Sequence, residues 1–179
     1  MSIVEGFCST CEIIAHERVH KKYKSQFISL GLFDNEVKWY KRFAKTPGNP
    51  PHTPKLLDYS GDTLVLEYVG KPITKDNIVD NFKNQLRQIA SFLEYHHCQH
   101  CDITSGNLLV LNNNLFIIDF GWAIKMDQNP YQRWKHVNKE FLDGMNSGYR
   151  APNWPDDKYS LAKIYKKFSG NPNNKLVFH

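Results

Sequence analysis

The chain has 179 residues, enough for one compact domain or two small lobes with a sizeable core, but short for a large multidomain enzyme. Lys and Arg number 23 against 18 Asp and Glu, a net charge of +5 with eight His besides, so attraction to anions is expected without the excess of a dedicated nucleic-acid protein. No apolar run approaches a membrane span and no leader pattern opens the chain, which leads us to expect a cytoplasmic protein with no membrane partner.

In chain order, strands are expected near Ile3 to Glu5, Glu12 to His16 and Arg18 to Lys24. The densest basic stretch, HERVHKKYK at His16 to Lys24, reads as a strand with one solvated face, with nucleic-acid binding the lesser alternative. A helix is predicted over Asp34 to Lys45, with Asp34 as N-cap and Val37, Trp39, Tyr40 and Phe43 largely on one side, ended by Thr46-Pro47-Gly48. The Pro-rich connection TPGNPPHTP leads to strands at Lys55 to Tyr59 and Leu64 to Tyr68 around a Ser60-Gly61-Asp62 turn. Phe82, Leu86, Ile89 and Leu93 recur at helical spacing and predict a helix over Ile78 to His97. Leu108 to Leu111 and Leu115 to Ile118 flank three asparagines and read as a hairpin, and a helix is expected over Asp157 to Phe168.

The most informative stretch is HCDITSGNLLVLNNNLFIIDFG, from His100 to Gly121. Phosphoryl transfer needs a carboxylate to receive the hydroxyl proton, and an amide and a second carboxylate to hold the Mg²⁺ ions that neutralise phosphate charge. Asp102, Asn107 and Asp119 supply these groups in that order, and the hairpin brings Asp119 back beside Asn107. An Asp-Phe-Gly alone is more often an ordinary turn, but that reading leaves His100, Asp102 and Asn107 unexplained.

This segment resembles the catalytic and metal-binding loops of the protein kinase superfamily. GYRAP at Gly148 to Pro152 resembles the end of a kinase activation segment, DKYSLAKIYKKF the central buried helix whose leading Asp binds the catalytic-loop backbone, and LVLEYVGKPIT the strand entering the hinge. Thr104, where protein kinases usually carry Lys, is similar to RIO-like kinases and to the kinase subunit of the tRNA threonylcarbamoyl complex. The resemblance implies an α+β, bilobal kinase-like fold: a small β-rich N-lobe over residues 1–66, a hinge at 67–71, and a shortened helical C-lobe over 72–179, all one kinase-like domain. It further implies ATP and Mg²⁺ as cofactors, with Asn107 and Asp119 holding the metal and Asp102 orienting the acceptor. Lys22, preferred over Lys21, and Glu36 would place the phosphates, and Glu67, Val69 and Leu109 would meet the nucleotide. The implied reaction is transfer of the γ-phosphate to a Ser or Thr hydroxyl of a protein; a small-molecule kinase of the aminoglycoside or choline type and a nucleotide-binding pseudokinase or ATPase-type regulator are the alternatives. Oligomeric state is not specified.

The chain departs from the superfamily pattern in three further places. Only Gly6 stands in EGFCSTCEII, where a glycine-rich loop would let backbone amides approach phosphates, and the hydroxyls of Ser9 and Thr10 are candidate substitutes. Cys101 replaces the Arg that reads an activation-loop phosphate, so no such phosphorylation is expected. Asn153 replaces the Glu that anchors the segment's end. The pairs Cys8/Cys11 and Cys98/Cys101 have zinc-like internal spacing but lie far apart, and are expected to be free reduced thiols.

Overall fold

The structure, a computed structural model, describes residues 2–15, 17–46, 52–146, 148–170 and 175–178. The expected strand end at His16, the turn residues Pro47 and Gly48 with the rest of 47–51, Ser147, and residues 171–174 of the tail lie outside them.

Strands β1 (Ser2–Glu5), β2 (Ser9–Ile14) and β3 (Arg18–Tyr23) form an antiparallel meander. After the one-turn helix α1 (Ser25–Ser29) comes α2 (Leu32–Phe43). It starts two residues earlier than the Asp34 cap predicts, because Gly31 takes a left-handed conformation with φ 81° and turns the chain into the helix. Asp34 instead lies in the first turn, where a carboxylate complements the helix dipole. Strands β4 (Leu56–Ser60) and β5 (Thr63–Glu67) complete a five-stranded sheet in the order β1-β2-β3-β5-β4. Period-2 alternation gives β3 two faces: Lys21 and Tyr23 are buried, whereas Arg18 and Lys22 are exposed.

The chain then runs through β6 (Lys71–Pro72) into α3 (Phe82–Tyr95), which begins four residues later than its apolar periodicity suggests. The asparagine turn explains the delay. Asn113 accepts a hydrogen bond from the Asp80 N–H at 2.7 Å and donates to the Asp80 carboxylate at 2.9 Å, holding that stretch out of the helix. Asn112 and Asn113 both adopt positive φ (49° and 63°), as a two-residue hairpin turn requires. Strands β7 (Cys98–Gln99), β8 (Leu108–Leu111), β9 (Asn114–Ile117) and β10 (Ile124–Lys125) follow, β9 pairing β8 and β10 pairing β7. Three helices close the chain: α4 (Pro130–Arg133), α5 (Lys139–Gly144) and α6 (Asp157–Phe168), capped by the side chains of Asn129, Asn138 and Asp156.

Leu86, Ile89 and Leu93 of α3 and Leu161 and Ile164 of α6 are fully buried in the core shared by these helices. That core continues to α2 through the ring of Phe120, whose centroid lies 4.8 Å from Phe43, 5.6 Å from Tyr40 and 4.8 Å from His100. Among the described residues no helix is long and apolar enough to cross a membrane.

Candidate active site

The charged centre is built from three elements. From β3, the Lys21 ammonium donates to Glu36 Oε2 of α2 at 2.7 Å and to Asp119 Oδ1 at 2.8 Å. The Tyr23 hydroxyl, on the same strand face, donates to Glu36 Oε2 at 2.5 Å, and Glu36 Oε1 accepts the Phe120 N–H at 3.1 Å. Glu36 is thus wholly buried with both oxygens engaged. Burial works against charge on Lys21, but Asp119 and Glu36 outweigh it and raise its pKa well above the ordinary range. Burial likewise opposes ionisation of Asp119, and the Lys21 ammonium reverses this, so its carboxyl ends below the usual value.

Asp119 follows β9 in a left-handed conformation, φ 69° and ψ 66°, that a non-glycine residue holds only when its surroundings impose it. Those surroundings are visible. The Asn35 amide donates to the carbonyls of Gly121 and Ala123, both at 2.8 Å, and the Trp39 indole donates to Ala123 at 3.1 Å. A side chain at Gly121 would put its Cβ 2.7 Å from the Tyr23 hydroxyl, which is why glycine stands there.

The loop bearing Asp102 is held from below. Asp157, at the head of α6, accepts the N–H groups of His100 (2.6 Å) and Cys101 (3.2 Å), and the Trp154 indole donates to the Cys101 carbonyl at 2.9 Å. Cys101 is therefore fastened in another positive-φ conformation, at 69°. His100 donates through Nε2 to the Ile118 carbonyl at 2.8 Å and receives the Asp102 N–H on Nδ1 at 3.3 Å. Burial lowers its pKa to about 4, so the ring is neutral and ties the Asp102 loop to the strand leading into Asp119. Asn107 donates to the Asp102 carbonyl at 2.8 Å. Burial first, and then the Asp119 charge, raise the Asp102 carboxyl to about 7.

Two hollows meet at Asp119. A cleft of about 420 Å³ between the five-stranded sheet and the β8–β9 hairpin has Val19, Leu66, Leu109 and Ile118 as apolar walls, the backbone of Glu67 to Gly70 along one edge, and Lys21, Asn107 and Asp119 at its polar end. At Gly70, φ is 101° and a Cβ would lie 1.9 Å from the Val110 carbonyl, so only glycine lets this edge pass β8. A second hollow of about 360 Å³, lined by Phe7, Trp122, Phe141 and Met145 with Asp102 and Asp119 at its base, opens on the far side.

The arrangement corrects one expectation. Lys22 is exposed, and its ammonium pairs with Asp62 at 3.6 Å on the outer face. Lys21 faces the cleft instead, because the face shared by Val19, Lys21 and Tyr23 is the one that packs on α2. Asp102, Asn107, Asp119 and Glu36 are brought together, and Glu67, Val69 and Leu109 line the cleft. The hydroxyls proposed to replace the loop glycines divide: Ser9 lines the cleft, whereas Thr10 donates to Glu5 at 3.1 Å. Cys98 and Cys101 are buried in the core, and burial pushes both thiols well above their ordinary range.

Sequence reasoning passed over Tyr23, Asn35, Gly70 and Arg150. The Arg150 guanidinium donates to the carbonyls of Leu142 (2.6 Å) and Met145 (3.3 Å), lies 3.5 Å from the Asp143 carboxylate and covers the Trp154 ring at 4.0 Å. It anchors the segment before α6, whose usual Glu is replaced by Asn153. Its position inside GYRAP was the available signal.

A buried Lys–Glu pair reaching the Asp of Asp-Phe-Gly, beside a loop with Asp and Asn five residues apart, defines a site of the protein-kinase-like superfamily. The model of the RIO domain family matches residues 13–134, and the chain belongs to that family. It is also 24% identical, over 151 residues, to a probable serine/threonine-protein kinase BUD32 homolog of Archaeoglobus fulgidus, a match covering 74% of this chain and 76% of that relative. Family and site together make it a phosphotransferase of the protein-kinase type.

Proposed function

We propose that the protein is an ATP- and Mg²⁺-dependent kinase that transfers the γ-phosphate to a Ser or Thr hydroxyl of a protein acceptor. The observation that carries this reading is the Lys21 ammonium held between Glu36 and Asp119 at the polar end of an apolar cleft. Adenine would lie between Val19, Leu66 and Leu109 against the backbone of Glu67 and Val69, and Lys21, oriented by Glu36, would hold the phosphates. Asp102 would orient the acceptor hydroxyl and take its proton; a carboxyl raised to about 7 is matched to that task near neutrality. A two-lobed division, with residues 1–66 above the hinge at 67–71 and residues 72–179 below, and work in the cytoplasm belong to the same proposal.

The residues fit Mg²⁺. Asn107 spends its amide nitrogen on Asp102, leaving its oxygen for a cation, and Asp119 gives only Oδ1 to Lys21. Among the described residues no group of three or more His, Cys, Asp or Glu is set to hold a metal; two hard oxygen ligands, completed by phosphate and water, suit Mg²⁺ rather than an all-protein cage. Bound there, the metal would neutralise phosphate charge during transfer.

A small-molecule acceptor is the second reading, favoured by the aromatic hollow over Asp102, whose volume of about 360 Å³ would admit a compact ligand. Incubation with labelled ATP and Mg²⁺, with generic protein acceptors in one arm and small alcohols and amino alcohols in another, tests both. Label on protein Ser or Thr supports the first reading and label on small alcohols the second. No Mg²⁺-dependent label, or label undiminished in Asp119→Asn, overturns the kinase reading.

A further inference from the structure

Behind the active centre, on the side of α2 away from the cleft, lies a small pocket lined by Lys38, Arg42, Lys125 and Arg133 and, among the described residues, by no acidic one. Among the described residues none of these four cations forms an ion pair. Unpaired like charges around one pocket repel, and an anion that joined them would relieve that repulsion. Two are held in place rather than waving in solvent: the Arg42 guanidinium lies 5.4 Å from the Trp39 ring and that of Arg133 lies 4.4 Å from the Trp134 ring. Stacked guanidiniums keep their donor edges free for bidentate bonds to a tetrahedral oxyanion.

The pocket holds about 60 Å³. A water-sized oxygen needs roughly 10–15 Å³ of such space, so there is room for about four oxygens, a phosphate group but not an aromatic ring or a base. We propose that this is a binding site for the phosphate of a phosphoserine or phosphothreonine carried by a partner protein. A nucleic-acid strand would want a row of cations and open aromatic faces. Here Trp39 and Trp134 are buried, at 5% and 3% exposure, and Lys41, the next cation along α2, turns to the Tyr59 ring at 4.2 Å instead of extending the cluster. A phosphate on the described hydroxyls of the chain's own neighbouring segment is disfavoured. The Tyr131 hydroxyl is taken by Asp143 and Arg150, and that of Tyr149 by Ser105 and Lys167. The site also spans two mechanically linked elements. Asn35, in its lining, grips the carbonyls of Gly121 and Ala123, and Lys125 and Arg133 lie beyond them in the chain.

Calorimetric titration of the full chain without nucleotide tests the site. A phosphoserine peptide should bind at least tenfold more tightly than its unphosphorylated twin, and excess inorganic phosphate should displace it. The preference should vanish in Arg42→Gln/Arg133→Gln with the melting temperature unchanged. Should that variant fail to fold, Lys38→Gln/Lys125→Gln, two exposed positions, should show the same loss. Lys41→Gln removes a charge outside the pocket and should leave the preference intact, as should Asp119→Asn, which separates this site from the transfer reaction. Equal binding of the two peptides, a preference that survives both double variants, or single-stranded RNA binding more tightly than the phosphopeptide with a steep salt dependence would overturn it.

Discussion

The floor and the cover of the cleft are built on opposite principles. The floor, Lys21, Glu36, Asp102, Asn107 and Asp119, is pinned by hydrogen bonds and ion pairs that leave the Asn107 oxygen open, even where the backbone is strained, as at Cys101 and Asp119. The cover, the turn at residues 6–8 between β1 and β2, has fewer ties: the Gly6 N–H donates to the Ser9 carbonyl at 2.8 Å, and Lys24 donates to the Cys8 carbonyl through its N–H at 3.0 Å and to the Gly6 carbonyl through its ammonium at 2.9 Å. Phe7 at its tip stacks 5.4 Å from Phe141 while remaining 66% exposed. On the proposed function, groups that would meet developing charge are fixed in advance, whereas a loop that would admit and release a nucleotide is less tightly held. Substitutions in the floor should therefore act on catalysis strongly, and those in the cover weakly.

The sharpest break is Asp119→Asn. It should abolish Mg²⁺-dependent transfer while circular dichroism and melting temperature stay near wild type, since on the proposed function the lost charge would serve the metal, and Lys21 keeps its pairing with Glu36. Next is the lysine pair. Lys21→Met should lower kcat/KM by about 10²-fold or more. It should also destabilise the fold by about 3–5 kcal/mol, because Glu36 is left buried without its cation. Lys22→Met should change either quantity little, and equal losses from the two would refute the assignment of the β3 faces.

Asp102→Asn should cut kcat by about 10²-fold with nucleotide affinity unchanged, as expected of a group that orients and deprotonates the acceptor. A parallel loss of ATP affinity would point to a structural role.

Stability should carry the mark of the floor's support as well. Burial outweighs the two backbone N–H bonds at Asp157 and raises its carboxyl from 3.8 to about 7. Between those values folded Asp157 keeps a proton that the unfolded chain has lost, so its contribution to folding stability falls as pH rises from about 4 to about 7; Asp102 contributes with the same sign and buried neutral His100 with the opposite one. Asp157→Asn should therefore make the pH slope of stability more positive than in the wild type in denaturant titrations, at the cost of weaker support for the His100–Cys101 backbone.

The smallest effects belong to the cover. At Gly6 an added Cβ would sit 2.9 Å from the Ser9 carbonyl, so Gly6→Ala must shift the turn and should weaken ATP binding by about 2- to 5-fold, near 1 kcal/mol or less. Phe7→Ala should alter KM for the acceptor more than for ATP, because Phe7 lines the hollow above Asp102. A loss from either as large as that of Lys21→Met would erase the distinction between floor and cover.

Much of the floor was legible in one line of sequence. The apolar runs around three asparagines predict the hairpin that returns Asp119 to Asn107, and β8 and β9 form it with the expected turn. Helix α6 spans the predicted residues, and its leading Asp157 meets the loop backbone as the resemblance implies. These features rest on local rules, turn chemistry and apolar period, that act within a few residues.

What only the tertiary structure decided are the choices that depend on which surface meets which. Strand alternation places Lys21 and Lys22 on opposite faces, but which face turns to the cleft is settled by packing β3 against α2, a contact no short window contains. The start of α3 is set by Asn113 from a hairpin 33 residues away, and the segment before α6 is held by Arg150 in place of the missing Glu. The phosphate-sized pocket joins residues from α2, β10 and α4, cations that look in sequence like ordinary solvated lysines and arginines. They line one pocket only because long-range packing brings those three elements side by side.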